Sequence, residues 1–287
     1  MMRGEREQEC LDIVRTFLQY EHCYGFTAED IENFKVYLEN SKPNEQPSKF
    51  PDFTFSGGFI EHFQISSSEE TRKGQNFQRD IDILSKKVLQ LESEKQSVYT
   101  GNQTFSYLTE QDIVNHSYYF LEESFKKHWE KHIDSYDRYK GEKERGVFLI
   151  EYPDLALSMS ENLDDIITIG ISAGDLLRQE KCPTYRLSRD KKLLQYVYEF
   201  REKIKYVIFV ADEPVSRDFS AIGAERKPNN NLAIFKQDIM KRVEFIRVDN
   251  IPAITKLRSQ SYHIDSFGIM KRSCITYVTS VGGDKNE

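Results

Sequence analysis

The fold is decided by Pro51-Asp52-Phe53-Thr54-Phe55-Ser56-Gly57-Gly58-Phe59-Ile60-Glu61-His62-Phe63-Gln64-Ile65. Two runs rich in Phe, Ile and Thr flank a Gly-Gly pair, a pattern that is typical of a β-hairpin. We take Gly57 and Gly58 as a two-residue turn. Because side chains alternate between the two faces of a strand, Asp52 and Glu61 then share one face as diagonal neighbours, with Cβ atoms about 6–8 Å apart.

This register predicts a full set of cross-strand pairs, namely Ser56–Phe59, Phe55–Ile60, Thr54–Glu61, Phe53–His62 and Asp52–Phe63. It also directs His62 and Gln64 to the opposite face, where packing is the expected role of both side chains. A three-residue loop would instead bring Asp52 to the face of His62 and Gln64, and those two residues would become site candidates.

Two carboxylates on one strand face repel each other unless a cation or hydrogen bonds offset the repulsion. The spacing of Asp52 and Glu61 lets both reach one divalent cation. The apolar residues Phe59, Phe63 and Ile65 indicate that the face of Glu61 is not simply exposed to water, and a buried acid needs a partner. An ordinary turn residue at Asp52 and a solvent-facing strand residue at Glu61 are the plain alternatives.

The arrangement resembles the PD-(D/E)XK nuclease superfamily, the fold of many restriction endonucleases, over about residues 50–90. In that family a Pro-Asp near one strand and an acid on the next hold magnesium, and a lysine two positions later assists the attacking water. Pro51-Asp52 and Glu61 match the two acidic parts, whereas Phe63 stands at the lysine position. Some members carry the lysine on a neighbouring helix, and Lys73 opens the helix that follows the hairpin.

The resemblance implies a Mg²⁺-dependent DNA endonuclease, with restriction or another anti-phage role, in which Asp52 and Glu61 are metal ligands. Lys73 would be an electrostatic or proton-transfer partner. Mg²⁺ takes few protein oxygens and keeps several waters, and it would lower the pKa of a bound water and stabilise charge on the scissile phosphate. DNA is the implied partner, and a homodimer or a partner subunit that supplies missing residues is compatible with this reading.

Composition narrows the class of protein. The chain has 287 residues, of which 38% are hydrophobic, and its 19 Phe and 16 Tyr allow a packed core. It contains no run of 18 apolar residues, so no membrane span is expected, and Met1 to Glu7 does not resemble a secretory signal. Four scattered cysteines, Cys10, Cys23, Cys182 and Cys274, give neither a zinc spacing nor a disulfide framework, which favours the cytoplasm.

The net charge of −7 argues against a protein that coats nucleic acid through bulk charge. A local basic groove remains compatible with it, because basic residues cluster in several places. These clusters, each of which is also explained by a solvated helix face, are Lys126-Lys127, Lys140 to Arg145, Arg186 to Lys192 and Lys236 to Arg247.

Periodicity predicts an α/β protein. Helices are expected at residues 5–20, from Thr27 (with a capping box to Asp30) to Leu38, at 75–94, from Thr109 to Tyr139 and from Leu193 to Lys203. A polar connector is expected at 97–107. Buried strands are expected at Val147–Tyr152, Tyr206–Ala211 and Val243–Val248. We therefore predict a mixed sheet, with an antiparallel hairpin and parallel strands flanked by helices, as in the restriction-endonuclease fold.

We expect one α/β domain over residues 1–280, with the nuclease-like hairpin at 49–66, followed by a disordered tail at 281–287. An order of helix, hairpin, helix and strand is compatible with the restriction-endonuclease core, although the first strand of that core is not obvious in the sequence.

Other polar groups have simpler explanations. His128 and His132 stand four apart, as metal ligands can, but charged neighbours favour a solvated helix face. Glu151-Tyr152-Pro153-Asp154 and Asp212-Glu213 follow two buried strands, where ligand sites often form, although a structural turn is the simpler reading. Ser158, Ser160 and Ser172 lack the surroundings of a serine nucleophile, and no phosphate-binding glycine loop occurs.

Three functions follow in order of preference. The first is the Mg²⁺-dependent nuclease. The second is a nuclease-like scaffold without catalysis that binds DNA or protein, which Phe63 at the lysine position supports. The third is a domain that binds a small ligand or a nucleotide through the loops after residues 152 and 211.

Overall fold

The structure is a computed structural model that describes residues 4–18, 22–46, 49–68, 104–110, 116–154, 156–161, 184–214, 239–257, 262–266 and 272–278. The predicted helix at 75–94, Lys73 and the predicted tail at 281–287 lie outside these residues. Among the described residues, no helix has both the length and the apolar sequence needed to cross a membrane.

The protein is α/β, as predicted. Its helices are α1 (Glu5–Phe17), α2 (Ala28–Asn40), α3 (Tyr118–Arg138), α4 (Lys191–Glu199) and α5 (Ile251–Leu257). Its strands are β1 (Cys23–Tyr24), β2 (Lys42–Pro43), β3 (Phe53–Phe55), β4 (Gly58–Gln64), β5 (Thr104–Glu110), β6 (Arg145–Tyr152), β7 (Leu157–Glu161), β8 (Tyr206–Pro214), β9 (Ile239–Arg247), β10 (Tyr262–Ser266) and β11 (Arg272–Val278).

Seven of these strands form one mixed sheet in the order β1-β9-β8-β6-β4-β3-β2. The centre is parallel, because β4 pairs with β6 and β6 with β8 in the same direction. The hairpin partner β3 and the short strand β2 are antiparallel to their neighbours. Strand β9 is antiparallel to β8, unlike the parallel pairing expected between successive buried strands. Two further antiparallel pairs, β10-β7 and β11-β5, lie outside this sheet.

Helices cover both faces of the sheet, and each face has its own apolar layer. On one face, Phe125 and Trp129 of α3 pack on Phe148 of β6, together with Leu193 of α4. On the other face, α1 and α2 contribute Leu11, Val14, Phe34 and Leu38 to a layer over the alternate residues of the same strands. The two-layer burial explains why the central strands read as continuous apolar runs in the sequence.

The N-cap of α2 agrees with the sequence prediction, whereas the N-cap of α3 differs from it. Thr27 accepts from the N–H of Asp30, whose carboxylate accepts from the Thr27 N–H in return, so the predicted capping box is present. The long helix α3 instead begins after Ser117, whose hydroxyl accepts from the N–H of Phe120. Thr109 lies in β5, so the prediction that it caps this helix is wrong.

Strand β5 also occupies residues 104–107 of the predicted polar connector at 97–107, so the prediction is wrong for those residues. Strand β5 pairs along its whole length with β11, from Thr104 opposite Val278 to Glu110 opposite Arg272. Because β11 lies about 170 residues further along the chain, no local sequence pattern predicts this pairing.

The hairpin is present, but its register differs by two residues from the predicted one. Phe55 pairs with Gly58, Thr54 with Phe59 and Phe53 with Ile60. Ser56 and Gly57 therefore form the turn, and Gly57 takes a positive φ of 82°.

Gly58 is unavailable for the turn because it already belongs to the ladder with β6, opposite Arg145. A side chain at Gly58 would collide with the Arg145 carbonyl oxygen and with the ring of Phe55. A shift of two residues preserves the alternation of side chains, so Asp52 and Glu61 keep a common face.

Candidate functional site

The hairpin brings Asp52 and Glu61 together, as the sequence predicts. Continuing the observed register by one residue places them directly opposite each other. The backbone N–H of Asp52 donates to Glu61 Oε2 at 3.1 Å, and the N–H of His62 donates to Asp52 Oδ2 at 2.8 Å. Glu61 is only 6% exposed. The two acids therefore share one partly enclosed site beside the start of β3 and the middle of β4.

Burial, followed by like-charge repulsion from the Glu61 carboxylate, raises the pKa of Asp52 to about 7. The hydrogen bond from the His62 N–H acts in the opposite direction but does not cancel these effects. At neutral pH, Asp52 is thus held between its charged and neutral forms. Among the described residues, none donates a hydrogen bond to Asp52 Oδ1, which leaves that oxygen available to a cation.

His132 of α3 completes this site from the other side. Its Nδ1 lies 2.7 Å from Glu61 Oε1, and its ring stacks on Phe63 with centroids 4.7 Å apart. Burial, together with the nearby charge of Lys131, lowers the pKa of His132 to about 4. A neutral His132 must be the hydrogen-bond donor here when Glu61 is ionised, because a carboxylate only accepts.

The sequence interpretation of His132 as part of a solvated helix face is wrong. Its side chain is 13% exposed, because it lies beside the buried positions Trp129 and Ile133 of α3. The helical spacing of Leu121, Phe125 and Trp129 carries a signal for this placement, since it puts position 132 at the edge of the buried stripe.

Phe63, which stands at the lysine position of the motif, is a core residue. It is 4% exposed, and besides His132 it packs against the ring of Phe148 at a centroid distance of 5.5 Å. A lysine ammonium does not fit such surroundings without a partner. Any catalytic lysine must therefore come from another element, and Lys73 lies outside the described residues.

A second charged cluster lies on the other face of the sheet, under α1. Its centre is Glu151 of β6, which is 6% exposed. Arg6 Nε of α1 lies 2.9 Å from Glu151 Oε2, and Lys241 Nζ of β9 lies 3.3 Å from Oε1. His62 Nε2 lies 3.5 Å from Glu151 Oε2. Lys241 also pairs with Asp212 of β8 at 2.6 Å.

The charges of this cluster compensate one another. Burial acts to raise the pKa of Glu151, but His62, Arg6 and Lys241 hold it well below its usual range. Burial raises the pKa of Asp212 despite the neighbouring ammonium of Lys241. The pKa of Lys241 is raised, because the attraction of the Asp212 and Glu151 carboxylates outweighs burial.

Cys10 of α1 lies within this second cluster and is 4% exposed. Burial raises the pKa of its thiol to about 12, with a further contribution from Glu151, so the thiol is protonated at neutral pH. Two of the acids that the sequence places at the ends of the parallel strands meet in this cluster, because Lys241 contacts both Glu151 and Asp212. Asp154 instead contacts Ser66 and Ser67.

Asp154 closes a small hydrogen-bond network at the carboxyl end of β4 and β6. Its Oδ2 accepts from the Ser67 N–H at 2.7 Å and from the Ser66 hydroxyl at 2.8 Å. The fully buried Ser67 hydroxyl also accepts from Tyr152 at 3.0 Å and contacts His116 Nδ1 at 2.9 Å. In a nucleophilic triad the histidine stands between the serine and the acid. Here Ser67 contacts both His116 and Asp154 and is fully buried, so the role of the network is to stabilise the loop that follows β4.

Comparison of the chain with known protein families, with curated proteins and with solved structures found no match. Function must therefore be argued from these two clusters alone. The first, on the face of α3, offers two adjacent carboxylates and a neutral histidine. The second, on the face of α1, combines a thiol, an imidazole and a carboxylate with two cationic side chains.

Proposed function

We propose that the protein is a Mg²⁺-dependent phosphodiesterase that cleaves DNA, with Asp52 and Glu61 as the residues that hold the metal. One observation carries this proposal: Asp52 and Glu61 lie next to each other across the hairpin, and the Glu61 carboxylate raises the pKa of Asp52. A cation bound between two such carboxylates would offset their repulsion.

The order of elements supports the proposal. Helix α2 precedes the hairpin β3–β4, and helix α3 and strand β6 follow it. Strand β2 lies antiparallel beside β3. This order of helix, hairpin, helix and strand is compatible with the restriction-endonuclease core.

The donor atoms suit Mg²⁺, which prefers carboxylate oxygens and retains several waters. Asp52 Oδ1 has no hydrogen-bond donor among the described residues, and burial and the Glu61 carboxylate raise the pKa of Asp52. When bound, Mg²⁺ would make a water more acidic and stabilise negative charge on a phosphate. His132 would orient Glu61 through Nδ1. Lys73 remains our candidate for the cationic partner.

The test is cleavage of varied DNA substrates by the purified protein with Mg²⁺ or Mn²⁺. Glu61→Gln keeps the shape of the side chain but removes the charge, so we expect it to abolish cleavage while leaving the fold intact. Glu244→Gln is the matched control, because Glu244 is also buried, at 1% exposure, but lies on β9, three strands away from β4. Cleavage that survives Glu61→Gln unchanged would place the chemistry elsewhere.

A nuclease-like scaffold that binds DNA or protein without cleaving it is the second candidate. The packing of Phe63 under His132 favours it, because the lysine position of the motif is occupied by core structure. DNA binding without cleavage in the presence of either metal would support this function over the first.

The role of Lys73 separates the two candidates further. If Lys73 acts on the developing phosphate charge, Lys73→Ala should slow the chemical step far more than it weakens DNA binding. If it contacts only the DNA backbone, the same variant should weaken binding and reduce the dependence of binding on salt.

A further inference from the structure

Three metal-binding side chains from distant parts of the chain meet on the α1 face of the sheet. They are Cys10 of α1, His62 of β4 and Glu151 of β6, and one ligand atom from each lies within 4.8 Å of the others. All three side chains are largely buried, since Cys10 is 4% and Glu151 6% exposed and the His62 side chain is also 6% exposed.

The fold places these groups together by alternation and register. His62 pairs with Leu149, so Glu151 lies two residues further along β6 on the same face. Helix α1 packs across this face, with Cys10 beside Leu11 and Val14 on its buried side.

His62 supplies an independent sign that a ligand is missing from this set. Among the described residues, the buried His62 Nε2 makes no hydrogen bond of normal length and has only a long contact, 3.5 Å to Glu151 Oε2, through which it still lowers the pKa of that carboxyl. A buried polar atom without a hydrogen bond is unfavourable by about 1–3 kcal/mol in general, so such atoms call for an explanation. Coordination of a cation by Nε2 would provide one.

We propose that Cys10 Sγ, His62 Nε2 and a carboxylate oxygen of Glu151 bind a Zn²⁺ ion. Thiolate, imidazole and carboxylate are the ligands that Zn²⁺ takes in proteins, whereas Mg²⁺ takes oxygen alone. In a tetrahedral site the ligand atoms are about 3.3–3.6 Å apart, a separation that His62 and Glu151 already show. Cys10 Sγ lies within 4.8 Å of both, so tetrahedral coordination needs only a small adjustment of this side chain. Three protein ligands leave the fourth position for a water.

Arg6 and Lys241 compete with the metal for Glu151, but each of these side chains has an alternative environment. The Arg6 side chain is 41% exposed and can turn into solvent. Lys241 has a second partner in Asp212, at 2.6 Å. The thiol proton of Cys10 leaves to solvent when the metal binds, as metal binding by cysteine requires.

This site is separate from the proposed nuclease site. Glu61 and His132 lie on the α3 face of β4, whereas the His62 side chain lies on the α1 face. The two proposals therefore fail independently: Glu61→Gln should abolish DNA cleavage without changing Zn²⁺ binding.

The test uses Co²⁺ in place of Zn²⁺, because Co²⁺ accepts the same tetrahedral set of ligands and a thiolate bound to it absorbs in the near ultraviolet. The full-length protein, stripped of metal, is titrated with Co²⁺ and then with Zn²⁺ as the competitor. We expect one equivalent of Co²⁺ to give the thiolate band and Zn²⁺ to remove it. A wild-type protein without this band would overturn the proposal.

Variants identify the ligands. Changing a partner of a metal ligand typically lowers affinity by about 10–100-fold, so Cys10→Ser, His62→Gln and Glu151→Gln should each lower it by at least ~100-fold. Cys23→Ser is the matched control, because Cys23 is also a free cysteine but lies on β1. Loss of the band in Cys23→Ser but not in Cys10→Ser would also overturn the assignment.

Two further measurements do not depend on the ligand variants folding. X-ray absorption of the Zn²⁺-loaded wild-type protein should show one sulfur neighbour together with nitrogen and oxygen neighbours, and a shell without sulfur contradicts the proposal. Arg6→Gln should raise Zn²⁺ affinity several-fold, because it removes a competing charge from Glu151 Oε2. An unchanged or lower affinity in this variant would contradict the proposed coordination by Glu151.

Discussion

His62 and Asp52 are joined by a hydrogen bond from the His62 N–H to Asp52 Oδ2, at 2.8 Å. The same histidine directs its imidazole to Glu151 on the opposite face of β4. One residue therefore contacts both candidate sites, through its backbone on one side and its side chain on the other. Because of this link, the protonation state of Asp52 is the first quantity to measure.

The first prediction concerns the pH dependence of stability. Because the pKa of Asp52 is raised to about 7, the folded protein binds this proton more tightly than the unfolded chain does. The resulting stabilisation is fully present below about pH 4 and is lost as the pH rises through about 7. Asp52→Asn cannot ionise, so its free energy of unfolding should exceed that of the wild type at pH 8 by on the order of 2–4 kcal/mol.

Urea denaturation at pH 5 and at pH 8 measures this difference. Asp134→Asn serves as the control, because Asp134 is an exposed acid on α3 and its replacement should follow the wild type at both values. A constant difference between Asp52→Asn and the wild type across this range would show that Asp52 does not titrate in the folded protein.

The second prediction concerns divalent metal. If Asp52 and Glu61 hold Mg²⁺, the metal favours the ionised carboxylates and should raise the melting temperature at pH 8 more than at pH 5. Asp52→Asn and Glu61→Gln should each remove this effect. Thermal denaturation with and without Mg²⁺ measures it without reference to DNA, and equal shifts in the wild type and both variants would argue against binding at these acids.

The third prediction concerns His132. His132→Ala removes the partner of the buried Glu61 carboxylate and a ring that stacks on Phe63. We expect it to lower the free energy of unfolding by about 2–4 kcal/mol at pH 7. Lys131→Ala, at the exposed neighbouring position, should change it by less than about 0.5 kcal/mol. Similar small effects for both variants would show that Glu61 does not depend on His132.

The fourth prediction tests the hairpin register. Gly58→Ala forces a methyl group against the Arg145 carbonyl oxygen and the Phe55 ring, and should destabilise the protein by about 1–3 kcal/mol. Ser56→Ala lies at an exposed turn position and should be nearly neutral. Equal free energies of unfolding for the two variants would contradict the observed register.

Much of the fold follows from local sequence. Alternation around Gly57-Gly58 predicts the hairpin, and the apolar runs at Val147–Tyr152 and Tyr206–Ala211 predict the two buried strands that β6 and β8 contain. The hairpin register does not follow, because it depends on how Gly58 fits against β6, which is distant in the chain. Strand β5 was missed for the same reason, since its partner is β11.

The candidate sites differ in the same respect, because one follows from local sequence and the other depends on contacts between distant parts of the chain. Asp52 and Glu61 are nine residues apart and joined by a short turn, so strand alternation is enough to bring them together. The second cluster combines residues 10, 62 and 151, whose proximity depends on how α1 packs across β4 and β6. His132 reaches Glu61 through a helix whose position over the sheet is set by tertiary packing. No spacing rule along the chain encodes such contacts.

The edges of the seven-stranded sheet bear on how copies of this protein can associate. Its outermost strands, β1 and β2, are two residues long each, and one residue of β2 is Pro43, which has no N–H to donate. Edges this short, one of them ended by a proline, offer a poor template for strand addition by another chain. Over the part of the chain that the structure describes, a dimer formed by extending this seven-stranded sheet is therefore disfavoured.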